Sequence, residues 1–146
     1  MPGIIVGVDG SGHSQRALEW AMTEAAIRHL PLTILTVHPA MVGYFGGVAT
    51  TAQDEELTEQ VKAVVTAETD KVLTGLNGPH PESVTVQAMN SFPVEELINA
   101  SKDADLVVLG SRGAGGFTRL MLGSTADQVV RHAHCPVTIV PPEDRT

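Results

Sequence analysis

Asp105-Leu106-Val107-Val108-Leu109 runs directly into Gly110-Ser111-Arg112-Gly113-Ala114-Gly115-Gly116, and Gly123-Ser124-Thr125 follows shortly after. The apolar run is short and bounded by glycine, the pattern of a strand buried on both faces of a parallel sheet. Glycines at a strand end let the backbone turn with positive φ and approach a ligand closely. Gly123-Ser124-Thr125 stands where a new helix begins, so its first N–H groups have no partner inside that helix. Strand, glycine-rich turn and helix start therefore read as an anion cradle, with backbone donors from both segments converging on one phosphate.

Outward from this stretch, strands and helices alternate along the chain. Gly3 to Val8 is a β-branched run ending in Gly7-Val8-Asp9-Gly10-Ser11-Gly12, which reads as strand one and a turn. Asp9 then lies at the carboxyl end of a parallel strand, either bonding turn N–H groups or facing a ligand. Ser11 is placed to cap the following helix, whose inner face is Ala17, Leu18, Ala21, Met22 and Ala25; Trp20 is assigned to packing. Pro31 ends that helix, and Leu32 to Val37 is strand two, closed by His38-Pro39.

Residues 40–52 are glycine-rich and irregular, either a cover over a site or an ordinary loop. Asp54, Glu55 and Glu56 follow at a helix start, and Leu57, Val61, Val64, Val65, Val72 and Leu76 form the expected buried face of helix two. Val84 to Met89 alternates apolar and polar residues, as a half-exposed edge strand does. Pro93 opens helix three with Val94, Leu97, Ile98 and Ala100 inward. Helix four covers Ser124 to His132, and Val137 to Val140 is strand five. Five strands alternating with helices predict an α/β fold, an open doubly wound parallel sheet with helices on both faces. In such sheets a ligand sits beyond the carboxyl ends of the strands, where strand order reverses. The expectation for residues 1–146 is a single domain.

Composition narrows the partners. The net charge of −8 repels nucleic-acid phosphate and anionic membranes at long range. Backbone N–H groups and arginines still hold a small anion over a few ångströms. Cys135 is the one cysteine, which excludes an internal disulfide and a multi-cysteine metal site. Met1 to Gly7 has no basic region and too short an apolar run for a signal peptide or membrane span, so a cytoplasmic location is expected. The chain has no Gly-x-x-x-x-Gly-Lys-Ser/Thr loop, and Gly7-x-x-Gly10-x-Gly12 is not a dinucleotide fingerprint. His132, His134 and Cys135 sit together without a second cluster, and His13 and His38 border the crevice without a nucleophile to activate.

The spacing of Gly110, Gly113 and Gly123-Ser124 resembles the nucleotide-binding motif of the universal stress protein family. Ile5-Val6-Gly7-Val8-Asp9-Gly10-Ser11 with Ala17-Leu18-Glu19-Trp20-Ala21 resembles that family's opening, and Phe117 to Thr125 with His134-Cys135-Pro136-Val137 its close. The resemblance implies strand order 3-2-1-4-5, the adenine nucleotide alpha hydrolase-like arrangement. It also implies ATP or another adenine nucleotide as ligand, bound by Gly7, Asp9, Val37, Gly110, Ser111, Arg112, Gly113, Gly116, Gly123, Ser124 and Thr125. Val37 falls on the adenine side and the glycine motif on ribose and phosphates. Arg112 either pairs with a phosphate or stays solvated, and Arg119 is a second candidate. Asp9 beside phosphates calls for a divalent cation between them, Mg2+ or Mn2+. One departure from the family pattern is Ser91-Phe92-Pro93 where glycine-x-proline is common, which narrows the adenine side. The resemblance further implies a homodimer paired through Val137 to Val140. No catalytic base is recognisable, so the expected role is a sensor or regulatory module with hydrolysis slow or incidental.

Overall fold

The computed structural model describes residues 3–9, 12–38, 51–111 and 122–141. Its elements alternate: β1 (Ile4–Gly7), α1 (Gly12–Arg28), β2 (Leu32–His38), α2 (Thr51–Gly75), β3 (Val84–Asn90), α3 (Pro93–Ser101), β4 (Leu106–Gly110), α4 (Ser124–His132) and β5 (Val137–Val140). The five strands form one parallel sheet in the order β3-β2-β1-β4-β5. β1 lies at the centre between β2 and β4, and β3 and β5 lie at the edges, which explains why β3 alternates between half-buried and exposed residues.

Each face of the sheet carries its own core. On one side Ile4, Val6, Leu32 and Ile34 pack against Ala17, Leu18, Ala21, Met22 and Ala25 of α1 and Val65 of α2. On the other, Ile5, Leu35, Val107 and Leu109 pack against Leu97 of α3 and Ala126 and Val129 of α4. The alternation of strand side chains between faces sends even-numbered residues of β1, β2 and β3 to the α1/α2 side and odd-numbered ones to the α3/α4 side. The alanines of α1 are what allow that helix to lie close to the sheet.

Helix ends follow local chemistry. α1 stops at His29, which adopts φ 57, with Leu30 N–H donating to the Ala25 carbonyl at 3.0 Å, the closure of a Schellman turn. α3 starts at Pro93, whose missing N–H is harmless in the first turn. The structure corrects three expectations. α2 begins at Thr51, inside the stretch expected to be irregular. Of the residues expected on the inner face of α2, Val65 is buried and Val61, Val72 and Leu76 pack beside it, whereas Leu57 and Val64 are 37% and 55% exposed and Thr69 joins the buried line. Trp20, assigned to packing, is 36% exposed, because Ala17 and Ala21 occupy the contact with the sheet.

Candidate functional site

Parallel register gathers the expected site residues at one edge of the sheet. Val6 pairs with Val108 and Gly7 with Leu35, so two residues further on Asp9 stands between the ends of β4 and β2, level with Ser111 and Val37. Val8 N–H continues the ladder by donating to the Leu35 carbonyl at 3.0 Å. Asp9 is exposed at this edge. This is the point where strand order reverses, with β2 on one side of β1 and β4 on the other.

The two described flanks of the glycine cradle meet directly. Gly123 N–H donates to the Ser111 carbonyl at 2.7 Å, and Ser111 N–H donates to the Val140 carbonyl at 3.2 Å. Ser111 thus ties the end of β4 to both β5 and the start of α4. Gly110 belongs to β4, level with Val140, and is half-buried. Gly123 is the N-cap of α4 at φ −63 and ψ 157, a conformation open to any residue, and it supplies no side-chain cap. The first N–H groups of α4, from Ser124 onward, therefore lack the capping oxygen that Ser, Thr, Asp or Asn at Gly123 would provide. Ser124 is exposed and Thr125 half-buried beside them. Asp127, also in the first turn, pairs with Arg131 at 3.2 Å on the solvent side. Arg112, Gly113, Gly116 and Arg119 lie outside the described residues, as do Ser11 and the segment 39–50.

Two expected residues acquire a more specific environment. A Cβ on Gly7 would come within 2.7 Å of Leu109 Cδ2 and 3.2 Å of Leu97 Cδ2, so Gly7 lets β1 lie close under the α3 side of the core. Val37 packs at the edge of that same α3/α4-side core. His134 N–H donates to Ser101 Oγ at 2.9 Å. Among the described residues no group of three or more His, Cys, Asp or Glu is placed to hold a metal ion. Cys135 is half-buried, and burial, reinforced by the nearby Asp105 charge, outweighs a backbone hydrogen bond and pushes its thiol above the usual range.

A polar group that sequence reasoning did not assemble lies at the same edge. His38 and Asn90, the last residues of β2 and β3, are register partners, and His38 Nε2 is 2.9 Å from Thr58 Oγ1 of α2. His38 Nδ1 and Asn90 Oδ1 are both buried without a hydrogen-bond partner among the described residues. His38 is recognisable in the sequence as a crevice residue, but nothing in the one-dimensional pattern puts Asn90 and Thr58 beside it.

The universal stress protein family model matches residues 2–141. The chain belongs to the universal stress protein family. It is 34% identical to universal stress protein Rv1996 of Mycobacterium tuberculosis (strain ATCC 25618 / H37Rv), in an alignment covering 98% of this chain and 49% of that protein. The chain thus spans about half the length of the curated universal stress proteins it matches, the M. tuberculosis CDC 1551 / Oshkosh protein MT2698 at 36% identity and 48% coverage among them. Among solved structures, universal stress protein UspA from Lactobacillus plantarum superposes with a TM-score of 0.69 at 27% identity, covering 94% of this chain and 95% of that one. A universal stress protein solved in complex with cAMP superposes with a TM-score of 0.62 at 25% identity, covering 96% of each chain.

Proposed function

We propose that this universal stress protein domain, residues 1–146, binds an adenine nucleotide, ATP foremost, and acts as a cytoplasmic sensor or regulatory module. The observation that carries the reading is the 2.7 Å bond from Gly123 N–H to the Ser111 carbonyl, which sets the uncapped start of α4 against the end of β4. A phosphate there meets convergent backbone donors and the positive end of the helix dipole, an attraction of about 0.3–1 kcal/mol in a surface setting. Gly110, Ser111, Gly123, Ser124 and Thr125 hold the phosphates and ribose, together with Arg112, Gly113 and Gly116. Gly7, Asp9 and Val37 line the β1 and β2 side, where the base lies. The related structure solved with cAMP supports an adenine nucleotide as the ligand class.

Asp9 is the one site carboxylate among the described residues that faces the phosphates in this arrangement. Asp9 would hold Mg2+ or Mn2+, which would supply charge neutralisation beside the phosphates. The chain's own residues orient and bind; none of the described ones at the cradle is placed as a base, so hydrolysis is slow or incidental. β5 is an edge strand, and Val137 to Val140 pairs with a second copy to form a homodimer. Calorimetry with ATP, ADP, AMP and cAMP, with and without Mg2+, is the test. Saturable binding that weakens in Gly113→Ala and Gly123→Val is expected, with phosphate release at background level in single turnover. No saturable binding by any of the four, and no effect of either substitution, rejects the reading.

A further inference from the structure

We propose that Asn77 is a site of spontaneous deamidation, in which the Gly78 backbone nitrogen closes on the Asn77 side chain and water opens the ring to aspartate and isoaspartate. The site is independent of the nucleotide reading: it lies in the connection from α2 to β3, at the amino ends of the strands, opposite the crevice. Asn77 and Gly78 are both exposed, and Gly78 turns the chain at φ +142, a conformation that favours glycine. A Cβ on Gly78 would meet no atom within 4 Å, so the space beside it is open. Neither the Gly78 N–H nor the Asn77 side-chain amide is hydrogen-bonded among the described residues. His80 Nδ1 donates to the Gly78 carbonyl at 3.2 Å and steadies the turn from its far side. The chain has two other asparagines, and both provide the contrast. The N–H after Asn90 belongs to Ser91 and is donated to the His38 carbonyl at 2.9 Å. The N–H after Asn99 belongs to Ala100 and is held in the ladder of α3. Only at Asn77 is the neighbouring nitrogen free to attack.

The Gly78 nitrogen gives its proton to hydroxide and bonds to Asn77 Cγ. The Cγ–Nδ2 bond breaks, and Nδ2 takes a proton from water and leaves as ammonia, closing a succinimide. Water then adds to one of the two imide carbonyls. Breaking the bond from Cγ to the Gly78 nitrogen gives aspartate in the ordinary backbone, and breaking the bond from the main-chain carbonyl carbon gives isoaspartate, with the chain running through Cγ. In sum one water is consumed and one ammonia released. The new carboxylate adds a negative charge to a chain already at −8. It stands just beyond Gly75, at the negative end of the α2 dipole, where the last turn carries no basic residue to offset it. Leu76 packs against the core immediately before, so the extra backbone carbon of isoaspartate has to be absorbed between Leu76 and β3.

Ageing the protein in mildly alkaline buffer, followed by peptide mapping that separates asparagine, aspartate and isoaspartate, tests this beside a synthetic peptide of residues 73–82 and the variant Asn77→Gln. The Asn77 amide is expected to be lost as fast in the folded protein as in the peptide, with isoaspartate the main product, while Asn90 and Asn99 keep theirs. Aged wild-type protein is expected to unfold at a lower urea concentration than fresh protein, and Asn77→Gln aged alongside to keep its midpoint. Retention of the Asn77 amide in the protein under conditions that convert the peptide overturns the proposal, as does loss at Asn90 or Asn99 at the same rate. An unchanged midpoint in fully converted protein overturns the effect assigned to α2.

Discussion

Gly7 and Cys135 are each defined by what stands around a single atom. A side chain at Gly7 meets the Cδ2 atoms of Leu109 and Leu97 at 2.7 and 3.2 Å. Gly7→Val is therefore expected to lower stability by about 1–3 kcal/mol through overpacking, measured by urea unfolding. Both contacts are far ends of flexible leucines, so Gly7→Ala should fall near the lower end of that range. The Cys135 thiol is raised by burial, so it stays protonated at neutral pH and resists alkylation. Its reaction rate with iodoacetamide should keep rising beyond the pH at which a free cysteine levels off. The sign for stability follows: the unfolded thiol ionises first, so this contribution is present below the unfolded pKa and is lost as pH rises through the folded one.

At the scale of elements, Ser101 ties the end of α3 to the connection between α4 and β5. It is fully buried, its hydroxyl donates to the Ile98 carbonyl at 2.6 Å, and it accepts His134 N–H at 2.9 Å. Ser101→Ala leaves that N–H without its partner and is expected to cost about 1–3 kcal/mol, read from the unfolding midpoint. In the nucleotide reading proposed above α4 would supply the donors, and Ser101 holds its connection to β5 from the α3 side. Element identity was legible in the sequence wherever the pattern was simple: α4 spans Ser124–His132 and β5 Val137–Val140 as the turn and cap signals indicate. The inner face of α2 was harder. Val61, Val65, Val72 and Leu76 pack inward as expected, but Leu57 and Val64 fall outside that line and Thr69 falls on it, since two apolar residues side by side in the sequence point about 100° apart on a helix.

For the whole molecule, the strand alternation was enough to name the architecture, and the resemblance supplied the strand order found here. What could not be read was adjacency across strands. Asn90 gains its interest only from standing opposite His38, and that depends on a β2–β3 register no local signal encodes. The same layout predicts how protection is distributed. Amides of β1, β2 and β4, flanked on both sides and covered by both cores, should exchange with deuterium slowest, and those of β3 fastest among the strands, measured by native-state exchange.

The Gly123–Ser111 bond also has a bearing on how the cradle tolerates change. Residue 111 and residue 123 are fastened to each other, so the chain leaves the sheet and returns to it at one place. The cost of closing a chain between two such fixed points grows only with the logarithm of the number of residues between them. Insertions between the two positions are therefore expected to leave β4, β5 and α4 in their places, with the unfolding midpoint little changed.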